Sequence, residues 1–278
     1  MKKLLILLLA VILLCACKPI LPDGDLRPEV AVTVNALYDI TSYIAGDAVN
    51  VVSVIPDGAE IHDYSPTARQ IESLRTAAVV VLSGLGVDDV FANVLRDREV
   101  CVASDGIAPR LTDTGAVDPH MWLSPTDAIA MSRNICAALI AAMPDHAAEF
   151  QTRCDELTAE LATTAEVCAA RAKSGVIVTT HEAFGYLCRD LGLTQLSVSG
   201  LYAEGEPSAR QLAELIQYCK DNGVTRIYAE SAANPAVAET LARECGAEIV
   251  PLYTMESAEG GMSYIRRLQY DIDRLTLG

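Results

Sequence analysis

The sequence predicts an α/β protein of two lobes, each a parallel sheet of about four strands flanked by helices, with one long rigid helix joining them. Short apolar runs alternate with helix-patterned segments in two series, one starting near residue 29 and one at residue 175. Such alternation is typical of parallel sheets. Between the two series, residues 145–173 contain neither glycine nor proline and predict a helix of roughly 40 Å, which suits a spine between lobes.

The N-terminus has the pattern of an export signal. Lys2 and Lys3 precede an apolar run at residues 4–14, whose length suits the core of a signal peptide and is too short to span a membrane. The following Leu-Cys-Ala-Cys resembles the bacterial lipobox, in which the last cysteine is lipid-modified after cleavage. We expect residues 1–16 to be a signal peptide, Cys17 to be lipidated and residues 18–28 to form a tether. Ordinary secretion with cleavage nearby is the alternative.

The first lobe is expected to span residues 29–142. Residues 30–34 are a short apolar run typical of a buried parallel strand, and Gly46 ends the helix that follows. A Pro-Asp-Gly turn at 56–58 closes the second strand, and Ser65 has the preference of a helix N-cap. The expected elements are strand 30–34, helix 37–45, strand 49–55, helix 67–76, strands 77–82 and 100–103, an irregular stretch at 105–117, and helix 126–142.

The linking helix is expected within residues 143–174 and the second lobe within 175–278. The second lobe repeats the order of strand followed by helix, and His181 stands at the end of its first strand. The expected elements are strand 176–180, helix 183–191, strand 196–198, helix 208–222, strand 226–229, helix 236–244, strand 248–252 and helix 261–275.

Three of the four histidines, His62, His120 and His181, are the candidate metal ligands. They lie 58 and 61 residues apart, beside turns or at strand ends, and ligand sites of parallel sheets lie outside the carboxyl ends of strands. Neutral imidazole is a common ligand for zinc, and a closed site needs one further donor. The alternative is that they are unrelated polar loop residues. His146 begins a helix and is interpreted as a solvent-facing residue.

Charge and cysteine content limit the function classes. The net charge of −16 gives no electrostatic reason to bind nucleic acid or an anionic bilayer surface. After removal of Cys15 and lipidation of Cys17, seven cysteines remain, and no pair of them forms a CxxC motif. An odd number cannot all pair within one chain, so we expect mostly buried thiols that do not ligate metal.

Several longer strings carry a family resemblance over nearly all of the mature chain. With them, the sequence closely resembles the metal-binding lipoproteins of bacterial ABC importers for zinc and manganese, including zinc-uptake and adhesin-type receptors. The resemblance implies two α/β lobes joined by a rigid helix, metal in the cleft between them, and His62, His120 and His181 as the first three ligands. The strings are AGDAVNVVSVIPDGAEIHDYSPTARQIESL at 45–74, DPHMWLSP at 118–125, THEAFGYLCRDLGL at 180–193, GEPSARQLAELI at 205–216 and IYAE at 227–230.

The fourth ligand departs from the family pattern. Many relatives place an aspartate in the loop after the last strand, whereas this loop reads LYTMESAEGG. Glu256 is the candidate by position and charge. Glu60, which resembles an acidic ligand of some zinc-specific relatives, and a water molecule are the alternatives. Three histidines favour Zn²⁺ as the ligand over Mn²⁺ or Fe²⁺, because nitrogen donors suit zinc and oxygen donors suit manganese.

Around these ligands, Asp118 or Glu182 is expected to orient an imidazole, and Glu230 is a further candidate for that part. Trp122, the only tryptophan, is expected to be a packing anchor near the site. Because the proposed donors are neutral imidazoles, metal affinity is expected to weaken as the pH falls through roughly 6.

The expected function is that of an extracytoplasmic, membrane-anchored receptor. It captures Zn²⁺ and hands it, as a monomer, to a membrane permease driven by an ATPase. The alternatives are a zinc-dependent hydrolase or hydratase with three histidines and a water, an Mn²⁺ or Fe²⁺ receptor of the same family, and a surface adhesin. The sequence has no HExxH and no GxxxxGK[ST] motif, which argues against a zinc protease and a nucleotide-binding protein.

Overall fold

The computed structural model describes residues 26–112, 114–201, 208–230, 235–259 and 261–277. The predicted signal peptide, Cys17 and most of the predicted tether lie outside the described residues. Within the described ranges, no helix combines the length and the apolar character needed to cross a membrane.

The first lobe contains six strands and four α-helices within residues 29–142 of the described chain. They are β1 (Glu29–Val32), α1 (Asn35–Ala45), β2 (Asn50–Ser53), α2 (Ala68–Thr76), β3 (Val79–Leu82), α3 (Asp89–Val94), β4 (Cys101–Val102), β5 (Arg110–Leu111), β6 (Val117–Asp118) and α4 (Pro125–Ala142). Strands β1 to β4 form a parallel sheet in the order β2-β1-β3-β4. Strand β3 is buried along its whole length, as expected for a sheet covered on both faces.

The long helix is α5 (Ala147–Arg171), with 25 residues and a length of about 38 Å. It begins two residues later than predicted, because Pro144–His146 forms a separate 3₁₀ turn. Helix α5 packs on α1 and α4 of the first lobe.

The second lobe repeats strand and helix as predicted. Its described elements are β7 (Gly175–Thr179), α6 (Gly185–Leu191), β8 (Leu193–Ser197), α7 (Ala209–Asp221), β9 (Arg226–Glu230), α8 (Ala236–Cys245), β10 (Glu248–Leu252) and α9 (Tyr264–Thr276). The four strands are parallel in the order β10-β9-β7-β8. Helix α5 also packs on α6 and α9, so one helix supports both sheets and the predicted fold class is confirmed.

Two short features of the first lobe were not predicted. The stretch expected to be irregular contains the antiparallel pair β5–β6, whose turn is closed by Gly115 in a left-handed conformation. Helix α3 has only six residues. Elements this short leave too few residues for a periodic pattern, which explains why the sequence does not reveal them.

The apolar core is shared between the lobes. One continuous cluster of buried side chains runs from β1 and α1 through α4 and α5 to α9. A smaller cluster lies in the second lobe, beneath α7 and α8. Because the larger cluster crosses from one lobe to the other, the two sheets are packed as one body and their strand ends have a fixed relation.

Candidate metal centre

Four side chains converge where the two lobes meet. His62, His120, His181 and Glu256 each offer one donor atom, and these atoms lie within 4.8 Å of one another. His62 follows β2, His120 lies two residues after β6, His181 two residues after β7, and Glu256 four residues after β10. His181 and Glu256 therefore follow the carboxyl ends of parallel strands, where parallel sheets place their sites. His120 instead follows β6 of the short antiparallel pair, and His62 lies further along the loop after β2.

The spacing of the donor atoms of His62, His120 and Glu256 fits a tetrahedrally coordinated cation. The Nε2 atoms of His62 and His120 are 3.2 Å apart, and Glu256 Oε1 lies 3.4 Å from the latter and 3.7 Å from the former. Donors about 2.0–2.1 Å from a tetrahedral zinc ion are separated by about 3.3–3.4 Å. The imidazole centroids are 5.0 to 5.7 Å apart, so the rings surround one point.

Glu60, the alternative fourth donor, and His146, which was expected to face solvent, lie outside this cluster. Glu60 is not part of the four-residue cluster found among the described residues; its Oε1 accepts a hydrogen bond from the backbone N–H of His62 at 3.1 Å. His146 is 45% exposed and lies 3.7 Å from Glu149 at the start of α5.

His120 is oriented by Asp118. Oδ1 of Asp118 accepts from the ring Nδ1 of His120 at 2.9 Å and from its backbone N–H at 3.0 Å, which directs Nε2 toward His62 and Glu256. Burial alone would lower the pKa of His120, but the hydrogen bonds to Asp118 and Glu256 outweigh it, so the pKa is raised above 6.5. A carboxylate behind a metal-binding imidazole fixes the tautomer and increases its basicity.

Asp118 is itself held from both lobes. Arg110 Nη1 donates to Oδ2 of Asp118 at 2.9 Å. The hydroxyl of Tyr186, at the start of α6, donates to the backbone carbonyl of Asp118 at 3.0 Å and accepts from the N–H of Arg110 at 2.9 Å. Sequence reasoning missed Arg110 and Tyr186, because no local pattern signals a contact between residues 76 positions apart.

We expect Asp118→Asn to weaken zinc binding roughly 10- to 100-fold. The amide keeps the size of the side chain but cannot supply the negative charge that stabilises His120 as a donor. Competition with a chelator measures the affinity, and Asp155→Asn, on the exposed face of α5, is the matched control. An unchanged affinity for Asp118→Asn would show that its carboxylate has no part in orienting the ligand.

His181 is oriented by Glu230, at the end of β9. Glu230 Oε1 lies 2.8 Å from Nδ1 of His181, and Nε2 contacts the backbone carbonyl of Leu201 at 2.7 Å. Burial alone would lower the pKa of His181, but Glu230 outweighs that effect and raises the pKa to about 9.

The loop that carries Glu256 is tied to the rest of the molecule at several points. Met255 has a φ of 60°, a left-handed conformation that is uncommon for residues other than glycine. Trp122 Nε1 donates to the carbonyl of Thr254 at 2.8 Å, as expected for a packing anchor beside the site. Ala258 N–H donates to Asp57 Oδ1 at 2.6 Å. These contacts hold the loop against the first lobe.

Arg267 of α9 is a second anchor that sequence reasoning missed. This side chain is 1% exposed; it donates to the carbonyl of Ser257 at 2.9 Å and forms an ion pair with Asp39 of α1.

Burial would raise the pKa of Glu256, but the hydrogen bonds of His120 and His62 lower it well below its usual value. The loop therefore presents an ionised carboxylate to three imidazoles.

Comparisons with known proteins identify the family. Residues 30–278 match the family described as ZnuA, the periplasmic component A of the zinc-uptake complex. The chain is 34% identical to a candidate metal-binding protein of Treponema pallidum, over 88% of this chain and 85% of that one. It is 30% identical to the zinc-binding lipoprotein AdcA of Streptococcus pneumoniae, over 99% of this chain but only 60% of AdcA.

A solved structure agrees with this match. The Zn(II)-bound ZnuA-like domain of Streptococcus pneumoniae AdcA superposes with a TM-score of 0.79 at 31% identity, covering 90% of this chain and 98% of that domain. The family match covers both lobes and all four clustered side chains. This chain therefore belongs to the ZnuA family of periplasmic zinc-uptake components.

Proposed function

We propose that this chain captures Zn²⁺ outside the cytoplasm and delivers it to a membrane permease driven by an ATPase. The observation that carries the proposal is the convergence of three imidazoles and one carboxylate within 4.8 Å of one another. We assign His62, His120, His181 and Glu256 as the ligands of the transported ion. Two come from each lobe, so the ion binds between them.

The donor set favours zinc over manganese and iron. Three nitrogen donors and one carboxylate oxygen, close to tetrahedral spacing, suit Zn²⁺, whereas Mn²⁺ prefers more oxygen donors and a higher coordination number. The relative with a solved Zn(II)-bound domain supports the same assignment.

The same geometry argues for a receptor and against an enzyme. Catalytic zinc sites keep one coordination position open for water or substrate, whereas closed sites fill all four positions with protein ligands. Here Glu256 Oε1 stands 3.4 Å from His120 Nε2, where the fourth donor of a closed site belongs. A zinc hydrolase or hydratase therefore has less support.

Competition between Zn²⁺, Mn²⁺ and Fe²⁺ for the metal-free protein tests the proposal. We expect one Zn²⁺ to bind per chain, tighter binding of Zn²⁺ than of the other two ions, and no turnover of ester or CO₂ substrates. Sustained zinc-dependent turnover would support the enzyme alternative, and preferential binding of Mn²⁺ would overturn the assignment of the metal.

A pair of substitutions distinguishes the two candidates for the fourth ligand. We expect Glu256→Gln to weaken zinc binding more than about 100-fold, beyond the usual cost of losing an outer partner, because it removes an ionised donor. Glu60→Gln is expected to change the affinity less than about threefold, since this exposed side chain accepts a hydrogen bond from a backbone N–H and lies outside the cluster. The reverse ranking in chelator competition would assign the ligand role to Glu60.

The membrane anchor is supported by the N-terminal sequence and by a lipoprotein among the relatives. We infer that Cys17 is the lipid attachment site and that residues 1–16 are removed. Cys17→Ser is expected to abolish incorporation of labelled fatty acid and to release the protein from the membrane fraction. Retention of the label in this variant would place the modification at another residue.

A further inference from the structure

Two cysteines of the second lobe lie against each other outside the metal centre. Cys219 belongs to α7, and Cys245 is the last residue of α8. The Sγ of Cys245 lies 3.8 Å from the carbonyl of Ile216, one turn before Cys219 on the same helix. Both side chains pack in the small apolar cluster beneath α7 and α8.

The two thiols differ in their access to solvent. Cys219 is 1% exposed, whereas Cys245 is half-buried. An external reagent therefore reaches Cys245 first. Cys219 then lies beside the modified Cys245 sulfur and can react with it. A partly exposed thiol beside a second thiol is the arrangement of an attacking and a resolving cysteine.

We propose that Cys219 and Cys245 are a redox modification site, at which an external disulfide oxidises the folded protein to an intramolecular disulfide. The Cys245 thiolate attacks one sulfur of the external disulfide, forming a mixed disulfide and releasing one thiolate. The Cys219 thiolate then attacks the Cys245 sulfur, forming the Cys219–Cys245 bond and releasing the second thiolate. Two electrons pass to the external disulfide, and the two protons lost by the cysteines are taken up by the released thiolates.

The location proposed above supplies the oxidant, because disulfides form and persist outside the cytoplasm. The chemistry itself does not depend on zinc binding. The bond closes the chain between the two helices, and this closed segment includes β9 with Glu230 at its end. Oxidation therefore stabilises the segment that carries Glu230, the residue that orients His181. We expect the midpoint of thermal unfolding to rise by roughly 5 to 10 °C.

A second pair of thiols provides an internal control. Cys136 of α4 and Cys154 of α5 are 2% and 1% exposed. Each Sγ lies 3.6 Å from a backbone carbonyl of the opposite helix, of Phe150 and Ser132 respectively. These thiols are also adjacent, but neither is open to a reagent, so we expect both to stay reduced while the protein is folded.

Oxidised glutathione is the probe that tests the proposal on the reduced, folded full chain. We expect the intact mass to fall by two hydrogen atoms, and non-reducing peptide maps to contain one linked pair, with Cys219 and Cys245. Burial raises the pKa of Cys219 to about 12, so the resolving step is slow and the glutathione adduct of Cys245 precedes the linked pair in time.

Two isosteric variants separate the steps. Cys219→Ser is expected to keep the glutathione adduct on Cys245, and Cys245→Ser to form neither adduct nor linked pair. If Cys219→Ser does not fold, the order of adduct and linked pair in the wild type decides the same point. The proposal is overturned if both thiols remain alkylatable after prolonged oxidation, or if the Cys136–Cys154 pair oxidises first.

Discussion

Replacing His120 with alanine is expected to lower the affinity for Zn²⁺ by about 1,000-fold, or about 4 kcal/mol. His120 is fully buried, and its Nε2 is close to the donors of both His62 and Glu256. Loss of a residue that hydrogen-bonds to a metal ligand lowers metal affinity roughly 10- to 100-fold. Loss of one of four direct donors is expected to lower the affinity further. The substitution also leaves Asp118 and Glu256 facing a cavity without the imidazole between them.

Chelator competition measures this effect, with circular dichroism to establish that the variant is folded. His146→Ala is the matched control, because it removes an exposed imidazole outside the cluster and is expected to bind zinc as the wild type does. His120→Gln provides a second, larger side chain should alanine destabilise the core. A loss of less than tenfold in a folded His120 variant would contradict the ligand assignment.

The affinity for Zn²⁺ is expected to decrease steeply as the pH is lowered, and the decrease is expected to start well above pH 7. Zinc binds the unprotonated imidazole, so a raised pKa means that a proton must leave before the ion binds. The pKa of His181 is raised to about 9 and that of His120 is raised above 6.5. The affinity should therefore decrease about tenfold per pH unit below about 9, and about 100-fold per unit once His120 is also protonated.

Carboxylates are the main groups that raise these two pKa values. The backbone carbonyl of Leu201 adds to the effect at His181, and the neighbouring His181 opposes it at His120. Asp118 and Glu256 face His120, and Glu230 and Glu256 face His181. Glu256 has a lowered pKa and stays ionised through the range, so the loss of affinity comes from the imidazoles. The sequence alone predicts that zinc affinity is lost near pH 6, because unperturbed imidazoles titrate there. The neighbouring carboxylates raise the imidazole pKa values and so extend this pH range upward.

Chelator competition at pH 8, 7 and 6 measures how much the zinc affinity changes per pH unit. Calorimetry in buffers of different ionisation enthalpy counts the protons directly, and we expect between one and two released per zinc ion at pH 7. Constant affinity over this range, with no proton release, would be incompatible with binding by His120 and His181.

Much of the fold follows from local sequence patterns. Strands β1, β3 and β7 coincide with short apolar runs. Helix α2 starts close to its predicted position, although its N-cap is Thr67, whose hydroxyl accepts from the N–H of Gln70 at 3.4 Å, and not the expected Ser65. The three histidines could be singled out because each stands beside a turn or strand end. Their convergence follows only if the sheets are parallel and face one another.

The remaining parts of the site depend on contacts between distant segments. Arg267 pairs with Asp39 across 228 residues, and Trp122 meets Thr254 across 132. Neither contact is indicated by the local amino-acid composition or by the hydrophobic periodicity. The position of Glu256 beside the three histidines likewise depends on how the last loop is placed, which these long-range contacts determine.

These contacts also explain how a site divided between two lobes is kept together. His62 and His120 come from the first lobe, and His181 and Glu256 from the second. The spacing of the donors thus depends on the spacing of the lobes, which α5 and the shared core fix. Substitutions that loosen this packing are therefore expected to weaken zinc binding without touching a ligand.

X-ray absorption at the zinc edge, on protein loaded with one equivalent of Zn²⁺, tests the assignment of the ligands most directly. We predict four nitrogen or oxygen neighbours at about 2.0–2.1 Å, with the outer-shell scattering of three imidazoles. A shell of sulfur at about 2.3 Å, or scattering from fewer than two imidazoles, would contradict the proposed metal centre.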